Sequence, residues 1–263
     1  METEMAIDPT AIVDKTAEIA SDASVGPYCV IGPGVRIGAG TILEPHVQIQ
    51  GWTTVGEACH IFGFTSLGTD PQDLKYKGEL TSLTIGNRNV IREFSTLNRG
   101  TVGGGGVTTL GDDNLLMAYS HVAHDSHVGS WVIMANAATL AGHVTVADHA
   151  TVGAFSAVIQ FCRVGPHAFI GGFSVITRDA LPYIRTVGDR NQAKIYGINT
   201  IGLQRRGIGA NAIEELKRLY RLLFRSKLNT GDALRLAREQ QWTAPEVSVL
   251  MNFIETSERG FIR

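Results

Sequence analysis

The chain has 263 residues, a mass of 28.3 kDa and a formal net charge of −2, with 44% hydrophobic and 18% charged residues. This composition excludes a disordered chain, and the near-neutral balance argues against a nucleic-acid binder, which carries a strong basic excess. No apolar run approaches the ~20 residues of a membrane span, and the acidic opening Met1-Glu2-Thr3-Glu4 lacks the basic and apolar segments of a signal peptide, so a cytoplasmic location is expected.

The first 190 residues carry a repeat. From Ile7 an aliphatic residue recurs every six positions through Val13, Ile19, Val25 and onward to Leu67. The series resumes at Ile85, Ile91 and Leu97, and again, shifted by one, from Leu110 and Leu116 to Ile176, giving 26 aliphatic positions without a miss. A small residue commonly follows four positions later, as at Ala11, Cys29, Thr41, Ser120 and Ala168, and glycine often follows directly, as at Gly26 and Gly38. A period of six fits neither a helix nor an alternating strand. It fits a hexapeptide β-helix, in which short strands meet at tight corners. The aliphatic fills the interior and the small residue the corner. Cys29, Cys59 and Cys162 fall at the small position and read as buried filler; no CxxC spacing suggests a metal or a redox pair.

Two polar or glycine-rich segments interrupt the series, residues 68–84 and 98–109. Inserts of this length are commonly functional. After Ile176 the repeat stops. Residues 191–207 read as irregular, and three helices are then predicted. Asn211-x-x-Glu214 opens one to Arg225, with Ile213, Leu216, Leu219, Tyr220 and Leu223 on one face; residues 230–241 form a second. The capping box Thr243-x-x-Glu246, with Pro245 early in the first turn, opens a third to about Ser257. The expected organisation is therefore a β-helix over residues 1–190 and a helical domain over 191–263. Residues 205–263 hold 11 Lys/Arg against 7 Asp/Glu. This excess suits an acidic partner, and equally a solvated helical face.

Half of the eight histidines lie close together: His121, His124 and His127 in one heptapeptide with Asp125, and His143 18 residues beyond Asp125. If three hexads make one coil, residues 18 apart stack. His124, Gly142 and Gln160 then share a column, as do Asp125 and His143. Three readings of this patch stand: outward imidazoles on a polar face, a three-ligand zinc site, or a general base whose tautomer an adjacent carboxylate holds. His46, His60, His149 and His167 read as surface or interface residues. The Arg205-Arg206 doublet suits phosphate, and equally solvent.

The repeat resembles the left-handed parallel β-helix family, in which three hexapeptides form each coil of a triangular prism. The stretches Gln72-Asp73-Leu74-Lys75-Tyr76, Asn98-Arg99-Gly100-Thr101, Asp113-Asn114-Leu115-Leu116-Met117, His121-Val122-Ala123-His124-Asp125 and Gly202-Leu203-Gln204-Arg205-Arg206-Gly207 resemble the acyl-[acyl-carrier-protein]–UDP-N-acetylglucosamine O-acyltransferase family, which begins lipid A synthesis in Gram-negative bacteria. The resemblance spans essentially the whole chain, both inserts included.

It implies a homotrimer with sites between neighbouring prisms, and transfer of a (3R)-3-hydroxyacyl group from acyl-carrier protein to the 3-hydroxyl of UDP-N-acetylglucosamine, with no metal or cofactor. It implies His124 as base, Asp125 as its orienting carboxylate and the Gly142 N–H as oxyanion donor. Asp73, Lys75, His121 and His143 would position the sugar and the reacting groups; Gln160, Asn199, Arg205 and Arg206 would hold the nucleotide. Phe169 and Gly172 would end the acyl groove, with Gly172 favouring a long chain and Phe169 a shorter one. Two positions depart from the family pattern: Ile159, where a histidine precedes the Gln-Phe pair, and Ile201, where some members carry glutamate. Both bear on sugar and nucleotide preference, so a 3-amino sugar nucleotide stays open as an acceptor. The hexads by themselves would also suit a γ-class carbonic anhydrase, which binds zinc at its subunit interfaces, or a non-enzymatic hexapeptide protein.

Overall fold

In the computed structural model, which describes residues 6–190 and 192–263, each of the 26 periodic aliphatic positions lies in a β-strand. The acidic stretch at residues 1–4 lies outside the described residues. Most strands have two residues: the first points outward and the second, the aliphatic, inward, as in Arg36–Ile37 and Ile42–Leu43. The side chain alternation of a strand needs no more than this.

The chain turns after each strand, so successive strands enter three sheets in rotation. The first sheet begins with Ala6–Ile7, the second with Ile12–Val13 and the third with Glu18–Ile19. Neighbours within a sheet are parallel and 18 residues apart in regular coils, as in Ser24 beside Ile42 and Ile42 beside His60. From Val25 to Ile176 every periodic aliphatic is buried, whereas Ile7, Val13 and Ile19, in the first coil among the described residues, are half-covered. Burying such side chains contributes roughly 1.5–3 kcal/mol each. The small residues between them are buried too, and the three cysteines are free, with burial pushing the Cys162 thiol up to about 11.

Eighteen non-glycine residues among those described adopt a positive φ, at the prism corners. That conformation is costly for an L-residue. Ring stacking offsets part of the cost. At the corner between the first and second sheets Tyr28, His46, Phe64, Phe94 and Tyr119 stack at 4.7–5.2 Å.

Both inserts leave the same corner, between the second and third sheets. The first lengthens a coil so that Ile61 pairs with Ile91, and the second so that Ile85 pairs with Leu110. The first insert is pinned by the second: Asn98 donates to the carbonyl of Asp70 at 2.9 Å, and Arg99 donates to the Gly68 carbonyl at 2.8 Å and forms an ion pair with Asp70.

The tail differs from its sequence reading in three places. Residues 191–207 are not irregular: strand Lys194–Ile198 pairs antiparallel with Ile184–Val187, extending the first sheet, and helix α1 (Thr200–Arg205) follows. Two cores part near Ala180, since Leu181, Tyr183, Ile184, Ile195 and Ile198 pack with the helices. Residue 190 thus lies inside the hairpin that joins them.

Helix α2 (Ala210–Phe224) is capped at Gly209, with Asn211 already inside it. Helix α3 spans Thr230–Arg238 and α4 spans Pro245–Glu255. The Thr243/Glu246 capping box does not form. Instead the carboxylate of Glu215 on α2 accepts from the N–H groups of Thr243 and Ala244 at 3.0 Å and from the Thr243 hydroxyl at 2.9 Å. A cross-helix acid does what the local motif would have done, and ties α4 to α2. The chain then returns to the prism, where Ile262 joins the first core and donates its N–H to the Asp179 carbonyl.

Candidate active site

His124 and Asp125 occupy the turn between strands His121–Val122 and His127–Val128, at the insert-bearing corner. Both are buried, at 6% and 2% exposure. Asp125 has φ of 59°, which swings its carboxylate back beneath the imidazole. The Nδ1 of His124 lies 2.8 Å from Asp125 Oδ2. A carboxylate only accepts, so Nδ1 carries the proton and Nε2 is left as a free lone pair.

The coil stacking anticipated from the 18-residue spacing holds. The His143 N–H donates to the His124 carbonyl, and the Phe161 N–H to that of Gly142. His143 stands edge-on to His124 at 5.2 Å and stacks on Phe161 at 4.5 Å; its Nε2 lies 3.7 Å from Asp125. A Cβ on Gly142 would come within 2.6 Å of the His124 ring, so only glycine fits. The Gly142 N–H donates to no acceptor among the described residues. His121 accepts or donates at 2.7 Å with Thr96, and burial first, His124 second, holds its imidazole below the usual range. Gln160 is exposed beside this group.

Atoms of His124, Asp125 and His143 that could bind a metal lie within 4.8 Å of one another. The donor chemistry favours a proton network, because the Nδ1 proton and Asp125 Oδ2 are committed to each other. Asp73 and Lys75 sit on the first insert at the same corner, where the Lys75 N–H donates to the Asp73 carboxylate. No side-chain bond joins either to His124 among the described residues.

A second group of expected residues lies elsewhere. Asn199, Arg205 and Arg206 border a cleft of about 890 Å³ between the first sheet and α1, near the corner of the third and first sheets. Asn199 caps α1, accepting from the Gly202 N–H, and donates to the His167 carbonyl. Phe169 and the exposed Ile201 line the same cleft, and Gly172 is exposed just past Phe169. Ile159, by contrast, packs partly buried against the prism core.

Sequence reasoning missed the cleft's other wall. His149 and His167 line it, within a stack along that corner that begins with Trp131 and ends with Tyr183, and Arg206 lies over Trp131. The 18-residue spacing of Trp131, His149 and His167 was the signal that could have found it. Burial, then His149 and Arg206, push the His167 imidazole down to about 4. Between that value and the unfolded value of 6.5 the unfolded chain binds more protons, so stability falls on acidification through this window. The melting temperature is expected to drop from pH 6.5 to pH 4, and His167→Gln to flatten part of the drop. Equal slopes for the two proteins by calorimetry would count against it.

A left-handed parallel β-helix bearing an oriented His–Asp pair, with a helix-bordered basic cleft, defines the hexapeptide-repeat acyltransferases. A family model described as UDP N-acetylglucosamine O-acyltransferase, domain 2, matches residues 179–262. Named acyl-[acyl-carrier-protein]–UDP-N-acetylglucosamine O-acyltransferases from Thermodesulfovibrio yellowstonii and Alkalilimnicola ehrlichii are 49% and 52% identical over 257 residues, covering 98% of this chain and 99% of each relative. The solved structure of LpxA from Acinetobacter baumannii superposes with a TM-score of 0.93 at 45% identity, covering 97% of this chain and 99% of that one. The chain belongs to the acyl-[acyl-carrier-protein]–UDP-N-acetylglucosamine O-acyltransferase family and is an acyltransferase.

Proposed function

We propose that the chain transfers a (3R)-3-hydroxyacyl group from acyl-carrier protein to the 3-hydroxyl of UDP-N-acetylglucosamine, opening lipid A synthesis, with His124 as general base. The observation that carries this is the His124 Nδ1–H bonded to buried Asp125, which leaves Nε2 basic beside the unengaged Gly142 N–H. Nε2 takes the proton of the sugar hydroxyl as its oxygen attacks the thioester carbonyl. The Gly142 N–H stabilises the oxyanion. The intermediate collapses, the acyl–sulfur bond breaks, and the carrier thiolate recovers the proton from the imidazolium. The acyl group passes directly from sulfur to sugar. His121 and His143, with Asp73 and Lys75 of the first insert, position the sugar; Gln160, Asn199, Arg205 and Arg206 hold the nucleotide; Phe169 and Gly172 bound the acyl chain.

The geometry argues for a trimer. Within one prism His124 lies at one edge of the third sheet and the Arg205 cleft at the other. One chain therefore cannot bring them together. A closed three-membered ring with the third sheet inward sets the His124 edge of one copy against the cleft edge of the next.

The acceptor is tested by incubating the protein with UDP-N-acetylglucosamine or its 3-amino analogue and a panel of acyl-carrier proteins, then weighing the products. The expected product is the sugar nucleotide esterified with one hydroxyacyl group. Acylation of the amino analogue alone would reassign the acceptor.

The acidic carrier is expected to dock on the helical tail. Several cations there are neutralised, Lys217 by Glu214, Arg235 by Asp232 and Glu239, and Arg238 by Glu255. Arg218 packs over Trp242 and donates to the Gln241 carbonyl. Arg221 in the last turn of α2 and Arg225 at its C-cap are exposed and form no ion pair among the described residues, Arg225 lying over the Tyr220 ring. Exposed charges mainly speed encounter and are screened by salt. Reversing both to glutamate should raise KM for the carrier, with KM for the sugar nucleotide nearly unmoved. Equal weakening of both substrates would place the carrier elsewhere.

A further inference from the structure

The second insert closes over the catalytic carboxylate. Thr101, at its start, bonds both oxygens of Asp125: its N–H donates to Oδ1 at 2.7 Å and its hydroxyl to Oδ2 at 2.6 Å. Thr108, near its end, accepts from the Asp125 N–H at 2.8 Å. Between them the chain makes a single 3-10 turn, Val102–Gly104. Gly104 lies so close over the carboxylate that an added Cβ would fall 2.0 Å from its Cγ. Gly105 and Gly106, with φ of 98° and 83°, bring the chain back to the third sheet. The irregularity that breaks the hexad count is thus a buckle around one side chain.

From this geometry we infer that Thr101 is a positioning residue for the acyl transfer, acting through Asp125 with Gly104 as its backstop. The inference rests on His124 being the base. A carboxylate at 2% exposure needs donors to remain an anion. Among the described residues Thr101 supplies two of its three, the third being His124 Nδ1–H. Oδ2 is shared between the Thr101 hydroxyl and His124, so the hydroxyl sets where that oxygen sits and how strongly it holds the imidazole. Without it the carboxylate can rotate, and the Nε2 lone pair loses its aim.

The test compares Thr101→Val, Thr101→Ser, Gly104→Ala and His124→Ala in the full-length protein, with kcat and KM for UDP-N-acetylglucosamine measured for each. Thr101→Val is expected to lower kcat about ten- to hundredfold, the range for losing a hydrogen bond to a charged group. KM for the sugar should barely change, and Thr101→Ser should recover most of the rate. Gly104→Ala should lower kcat at least as far, because the added Cβ would displace the Asp125 carboxylate itself. Circular dichroism and melting temperature establish that each variant is folded. A folded Thr101→Val with normal kcat overturns the inference when His124→Ala is inactive. If His124→Ala keeps its activity, the base assignment itself falls. A Thr101→Val that fails to fold transfers the question to Thr101→Ser and Thr101→Ala, whose rates must then differ by the same factor; equal rates overturn it.

Discussion

Replacing His124 by alanine should lower kcat by about 10²–10⁴-fold, the usual cost of losing a general base. The protein should stay folded, because the imidazole belongs to neither hydrophobic core and its contacts are with Asp125, Gly142 and His143. Its melting temperature is the control. A folded variant that keeps more than about a tenth of the wild-type kcat would remove His124 from the mechanism. Asp125→Ala should cost less, because water can orient the imidazole in part. It should also destabilise the corner, where Thr101 would lose both acceptors.

Two inactive variants should complement each other. His124→Ala damages one edge of the third sheet and Arg205→Ala the other. If each site takes one edge from each of two copies, co-refolding the variants in equal amounts restores sites in which both edges are intact. Activity should reach about a quarter of wild type at low UDP-N-acetylglucosamine, the fraction expected for random assortment around a closed ring. Each variant alone should stay far below that, since Arg205→Ala removes a charge from the cleft proposed to hold the phosphates. Mixtures no more active than their parents would mean that one chain builds the whole site. Light scattering on the same samples should give three times 28.3 kDa; a monomer with full activity would be equally damaging.

The architecture was legible because the six-residue period is a local rule obeyed at every turn of the prism. Ile31, Leu43 and Ile49 each report the same thing, that the second residue of a two-residue strand points inward. The stacking of His124, Gly142 and Gln160, and of Asp125 and His143, followed from counting 18, because no insert intervenes between those coils. Counting fails where coils lengthen. Ile61 lies beside Ile91, and Ile85 beside Leu110, so residues of the inserts have no column to be assigned to. That is why Thr101 and Gly104, which hold Asp125 from 24 and 21 positions away, went unread.

The tail shows the same division between local and distant causes. The apolar face of α2, at Ile213, Leu216, Leu219, Tyr220 and Leu223, is written in its own 3.6-residue spacing, and the structure buries all five. The start of α4 is not, because Thr243 faces a better acceptor in Glu215, 28 positions away, than in its own capping box. His149 and His167 carry the same lesson. Their 18-residue spacing places them in one column, but only the packing of α1 against the first sheet encloses that column, desolvates the rings and brings Arg206 to them. By itself the sequence determined the prism, its coils and the pairing of His124 with Asp125, since these depend on neighbours along the chain or one coil away. Only the tertiary structure decided what closes over Asp125, what lines the cleft and which two edges must meet, because those contacts join segments whose separation no repeat sets.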